Sequence, residues 1–171
     1  MLSRDIAFLL KLSMREGPRV LLKDLADELF LAPSEISRAA IRCRNSGLLY
    51  WSDAEKRVNR SGLLEFIAHG IKYVFPPERG APVRGIPTAF AAPPLSSFFL
   101  PYNELLPVWP YAAGDVRGFS FAPLYKGAPK AALRDPKFYE LLALTDAVRG
   151  GKARERALAL ELLEKELNAN R

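Results

Sequence analysis

The chain carries one cysteine and one histidine in 171 residues. A lone Cys43 excludes an internal disulfide framework and fits a reducing cytoplasm. Cys43 and His69 together cannot assemble the usual zinc sites. A Ser/His/Asp triad would have to use His69, which stands between Ala68 and Gly70 at an expected helix end, where a cap or a solvated imidazole suits it better. The sequence has neither a GxxxxGK[ST] phosphate loop nor a GxGxxG fingerprint. No apolar run approaches the ~20 residues needed to cross a bilayer. The N-terminal stretch MLSRDIAFLLKLSMREG is interrupted by Arg4, Asp5 and Lys11 at helical spacing, so it reads as an amphipathic helix and not as a signal peptide. The expectation is a cytoplasmic, non-enzymatic protein without metal, cofactor or membrane segment.

What is present is enough apolar side chain for a core: 49% hydrophobic against 26% charged. The net charge of +6 and a pI near 9.6 favour anionic partners. Residues 1–75 hold 12 basic and 9 acidic side chains, and the rest of the excess is spread along the chain, so position must decide.

Three zones are legible: 1–75, 76–134 and 135–171. In the first, Ser3 is a candidate N-cap, and Ile6, Leu9, Leu10 and Ser13 keep an i, i+3, i+4, i+7 rhythm until Gly17-Pro18. A short helix over 22–29 follows. After a three- to four-residue break, Pro33 opens a third helix from its first turn, where its missing N–H is not needed. Leu48-Leu49-Tyr50-Trp51 reads as a strand, Asp53 to Lys56 as a turn, and Arg57-Val58-Asn59 as the return strand. Asn59 can cap a fourth helix, from Arg60 to about Ala68. This order of elements predicts a winged helix-turn-helix.

The third helix, PSEISRAAIRCRN, has two faces. At about 100° per residue, Ile36, Ala39, Ala40 and Cys43 share one, and the small alanines let another helix cross closely. Cys43 then serves as packing. The other face collects Ser34, Arg38, Ile41, Arg42 and Asn45, with Glu35 at its edge. These types suit a major groove: Arg forks onto guanine, Ser and Asn reach phosphates or adenine edges, and an aliphatic meets a thymine methyl. The expectation places a recognition helix over 33–46 in the major groove and a wing over 50–59 on the backbone or minor groove. Those five residues would contact bases, and Arg19, Lys23, Ser37, Lys56, Arg57 and Arg60 the backbone. A solvated face is the plain alternative, and Asp53 and Glu55 at the wing tip would repel phosphate.

Twelve of the 14 prolines fall in residues 76–136, a density that argues against long helices and central strands. Yet Phe90, Phe98, Phe99, Trp109, Phe119, Phe121 and Tyr125 are too many aromatics for a free linker. An ordered, irregular segment is expected, with short strands over 72–75 and 116–121, wrapped on its own chain or on a protein partner. The triplet Val-Arg-Gly occurs at 83–85 and again at 116–118. Arg84 and Arg117 could grip an anion or a partner, or be solvated strand edges; a shared site fails if they lie beyond ~15 Å of each other. In the last zone Asp135 and Pro136 begin a helix to Val148. A second helix over 152–168 has leucines on more than one face, which suits either a dimer contact or packing on the first zone.

The stretch LLKDLADELFLAPSEISRAAIRCRNSGLLYW resembles the core of bacterial winged-helix transcriptional regulators of the MarR-like class, whose usual pattern is LA..L..S.S.VSR.L..L...GL. Leu25-Ala26, Leu29, Ser34, Ile36-Ser37-Arg38 and Gly47-Leu48 carry the match, over roughly residues 2–75. Ala32 departs from the Ser or Thr cap frequent there, and the proline-rich zone is foreign to compact members. The resemblance implies a homodimeric, cytoplasmic regulator of transcription on double-stranded DNA. The alternative is a protein-interaction module, an antitoxin or accessory subunit, docking a protein partner through residues 76–134.

Overall fold

The computed structural model describes residues 1–15, 20–52, 55–99 and 105–169. The fold is α+β, mainly helical with two small sheets, as the sequence leads one to expect. No helix among the described residues is long and apolar enough to cross a membrane. The expected stop at Gly17-Pro18, the backbone contact Arg19 and the wing-tip Asp53 lie outside the described residues.

Helices α1 (Ser3–Ser13), α2 (Leu22–Leu29) and α3 (Pro33–Asn45) open the chain. Ser3 does not cap α1. Leu2 holds the cap position, and its N–H donates to the Asp5 carboxylate at 2.7 Å, while the Ser3 hydroxyl donates to the Leu124 carbonyl. Nor is α1 amphipathic: every residue from Asp5 to Ser13 is buried, because α2, α3, α4 and α7 enclose it. Its two charges survive burial by being paired. Lys11 reaches Glu28 at 2.9 Å, bonds Asp135, and lies 5.2 Å from the Phe138 ring centre. α2 ends at Phe30 in the left-handed region (φ 54°), which turns the chain sharply into α3. Pro33 occupies the first turn of α3, and the Glu35 carboxylate accepts the Ala32 N–H at 3.1 Å, standing in for a Ser or Thr cap.

Strands β1 (Leu49–Trp51) and β2 (Lys56–Val58) form an antiparallel hairpin with Leu49 opposite Val58 and Trp51 opposite Lys56. Asn59 caps α4 (Arg60–Glu65), its Oδ1 accepting the Gly62 N–H at 3.1 Å. The helix does not end at Ala68. It passes through a π turn, Phe66–Gly70, into α5 (Ile71–Val74), so the strand expected over 72–75 is helical. Buried Ile67 and Ile71, four apart, hold it to the helical period, and His69 is an exposed residue within the turn.

Strands β3 (Arg79–Pro87), β4 (Pro107–Pro110) and β5 (Val116–Phe121) close a three-stranded barrel. β5 is the expected strand over 116–121. β3 overturns the expectation of no central strand: it is antiparallel to β5 over Arg79–Gly85 and to β4 over Gly85–Pro87. Pro82 is tolerated because the ladder shifts register between Gly80 and Pro82, where its missing N–H is not needed.

Helices α6 (Ala128–Arg134), α7 (Pro136–Gly150) and α8 (Ala153–Ala169) complete the chain. Asp135 caps α7, accepting the N–H groups of Lys137 and Phe138 at 3.1 Å each, and Pro136 follows at its first position. α7 is buried without interruption from Leu141 to Arg149 and packs on α1, α5, α6 and α8. Asp146, 1% exposed, ties the barrel to it. One carboxylate oxygen accepts Thr88 Oγ1 at 2.7 Å and Trp109 Nε1 at 2.6 Å, and the other accepts Arg149 Nε at 2.8 Å. Arg149 also donates to the carbonyls of Phe75 and Ala122. The described part of the proline-rich zone therefore packs on its own chain.

Candidate nucleic-acid interface

The inner face of α3 is Ile36, Ala39, Ala40 and Cys43, all buried. Burial, with the nearby Asp5 charge adding to it, pushes the Cys43 thiol up to about 12, so it stays protonated and inert at neutral pH. The alanines let α1 and α2 pack closely on this face.

On the outer face Ser34, Arg38 and Asn45 are exposed, and Ile41 is 52% exposed. Ser37 is exposed as well, its hydroxyl donating to the Pro33 carbonyl at 3.0 Å. Arg42 does not belong with them. Its guanidinium makes a two-pronged pair with Asp5, Nε to Oδ2 at 2.8 Å and Nη2 to Oδ1 at 2.6 Å, and Asp5 is wholly buried. The bond to Asp5 holds the Arg42 guanidinium above its ordinary pKa, against the lowering effect of burial. Its fork is occupied by the protein itself.

Arg44 is exposed on the face that Arg42 leaves. On a helical wheel Arg44 lies about 60° from Ile41 and Arg42 about 100° from it. The stripe is thus Ser34, Ser37, Arg38, Ile41, Arg44 and Asn45, and every member is exposed. Stepping three and four from Ile41 would have found Arg44 in the sequence. The buried Asp5 that withdraws Arg42 belongs to another helix and left no local signal. Neither Arg38 nor Arg44 has a side-chain partner among the described residues. The one acid on the helix is turned away: Glu35 is held by the Ala32 N–H and by Arg4 at 3.0 Å.

The hairpin that follows α3 carries two cations. Arg57 is exposed with its guanidinium carbon 5.1 Å from the Tyr50 ring centre, and the Lys56 ammonium is 5.3 Å from that of Trp51. Tyr50, 53% exposed, is a further aromatic on this surface. Glu55 approaches Arg57 at 3.5 Å, but both are more than half exposed, so water screens the pair. Lys23 is exposed in the first turn of α2. Arg60 is not available: it donates to the carbonyls of Leu167 and Ser13, fastening α4 to the ends of α8 and α1.

No family model, curated protein or solved structure matches the chain.

Arg84 and Arg117 lie far inside the ~15 Å limit for a shared site. They are direct cross-strand partners in the β3–β5 ladder, and both are exposed.

Proposed function

We propose that the chain is a DNA-binding regulator of winged-helix type, with α3 as its recognition helix and the β1–β2 hairpin as its wing. One observation carries this reading. The exposed stripe of α3 bears two arginines without a side-chain partner among the described residues, an asparagine and two serines around an uncovered isoleucine, while the one acid of the helix is tied back. A thymine methyl would cover the isoleucine, and the arginine forks would meet guanine edges. Lys23, Lys56 and Arg57 are left to track phosphates.

Selection from random duplexes, followed by titration of the enriched site at several salt concentrations, tests this. Arg38→Ala or Arg44→Ala should each weaken the selected site by about 1–3 kcal/mol and relax base choice at one position. Lys56→Ala should weaken all duplexes alike and flatten the salt slope by about one. No enriched sequence and no salt-dependent binding would sink the reading. The solution mass of the complex then tells whether two copies span a pseudo-palindrome, as the MarR-like resemblance implies.

The alternative is a protein-docking module: Trp109 and Phe121 of the aromatic, proline-rich segment are buried in their own chain, which weakens its motive, while Phe98 at 57% exposure keeps part of it.

A further inference from the structure

The two Val-Arg-Gly triplets pair with each other. Val83 faces Gly118, Arg84 faces Arg117 and Gly85 faces Val116, so the ladder has a local two-fold axis through the arginine pair. The glycines explain the repeat. Both are buried against β4: a Cβ on Gly85 would sit 2.0 Å from the Trp109 carbonyl oxygen, and one on Gly118 2.0 Å from that of Leu106. Strand alternation then sends both arginines to the opposite, exposed side. Their Cβ atoms are held about 4.5–5.5 Å apart, and two like charges directly opposite are destabilising on a ladder. Among the described residues neither guanidinium has a partner. Asp115, the nearest acid in the sequence, pairs with neither. Arg79 adds a third positive charge along this face, 5.3 Å from the ring centre of Phe119, the residue two beyond Arg117.

We propose that Arg84 and Arg117 form a clamp for a phosphomonoester dianion. Two arginines rooted opposite each other on one ladder can bring two cationic forks to one centre that carries two negative charges and at least three acceptor oxygens. A phosphomonoester supplies both, whereas a carboxylate or phosphodiester carries one charge and two free oxygens. The group can come from a free phosphate or nucleotide, or from the 5′-phosphate end of a nucleic acid. The site is separate from α3 and does not rest on the α3 reading.

The test is binding and thermal stabilisation of the full chain at constant ionic strength. The probes are inorganic phosphate, a nucleoside monophosphate, and one short single strand with either a 5′-phosphate or a 5′-hydroxyl. Expected is saturable stabilisation by at least one phosphomonoester, weakened roughly tenfold or more by Arg84→Gln and by Arg117→Gln. Arg84→Lys, which keeps the charge and loses the fork, should be weakened too, and serves if a glutamine variant fails to fold. A nucleoside monophosphate alone names the free source, and preference for the phosphorylated strand over its hydroxyl twin names the end. Equal binding of both strands with no response to the small phosphates, or wild-type affinity in the three variants, overturns the proposal. Selection of duplexes by α3 is unaffected by these substitutions.

Discussion

At the scale of single residues, two arginines two positions apart on one helix have opposite fates. Arg42 neutralises a buried carboxylate, and Arg44 pairs with no acid among the described residues. Removing Arg42 leaves Asp5 buried with its N–H bond from Leu2 and no counter-charge. Such a break costs about 3–5 kcal/mol in a sealed site, and Arg42→Ala should fall near about 3 because the side chain keeps 28% of its surface in water. Arg44→Ala should change stability by no more than about 0.5 kcal/mol. Urea denaturation of the two variants beside the wild type reads this directly. Equal losses would mean that the Asp5 pair contributes nothing or that Arg44 is bound to the fold. The same measurement separates a fold residue from an interface residue, which DNA binding alone would not, since both variants could bind DNA less well.

At the scale of elements, the cap of α7 doubles as a junction. Asp135 accepts two backbone N–H groups and receives Lys11 from α1. Partial burial by itself would raise its pKa, but the Lys11 bond and charge and the two N–H bonds outweigh it, and the group ends below its ordinary value of 3.8. A carboxylate whose pKa is depressed in the folded state gives stability that is present above the unfolded value and lost as pH falls through the folded one. Stability should therefore fall as pH drops below about 4. Asp135→Asn should be less stable than the wild type at pH 7 and should show a shallower acid limb, measured by denaturant titration from pH 7 to 2. Parallel acid limbs would remove Asp135 from the balance. This cap was legible in the sequence, as were Pro33, Asn59, the hairpin and the inner face of α3, because each is a local signal. What was not legible depends on distant chain. β3 has two prolines and two glycines, and it is a strand only because β4 and β5 pair on either side. α5 has a β-rich composition and is helical because Ile67 and Ile71 face one core. The Asp146 hub joins Thr88, Trp109 and Arg149, which stand tens of residues apart. On α3, the withdrawal of Arg42 from the exposed stripe has the same kind of cause, Asp5 on α1.

At the scale of the whole molecule, α1 and α7 decide what can fold alone. α1 has no solvent face, and part of its surround is α7, more than a hundred residues later in the chain. Cut after residue 75, it would expose the apolar side that now meets α7, strip Lys11 of Asp135 and Phe138, and free Arg60 from the carbonyl of Leu167. α7, buried from Leu141 to Arg149 with Thr145, Asp146 and Arg149 inside, is packed on by α1, α5, α6 and α8. Through α1, α3 is thus supported by α7 as well as by its own neighbours. Residues 1–75 expressed alone should lack cooperative unfolding and bind an apolar dye, although they contain every element of the proposed winged helix. In the full chain the two tryptophans offer a matched check, since Trp51 lies in the hairpin and Trp109 in the barrel. Fluorescence of Trp109 in a Trp51→Phe variant and of Trp51 in a Trp109→Phe variant should each coincide with loss of helix by circular dichroism in the same variant. Coincidence means that one transition links hairpin, barrel and helices. A barrel signal lost at lower denaturant than the helical signal would mean that the middle segment is a detachable layer, and a stable, cooperative 1–75 fragment would mean that α1 needs no support from α7.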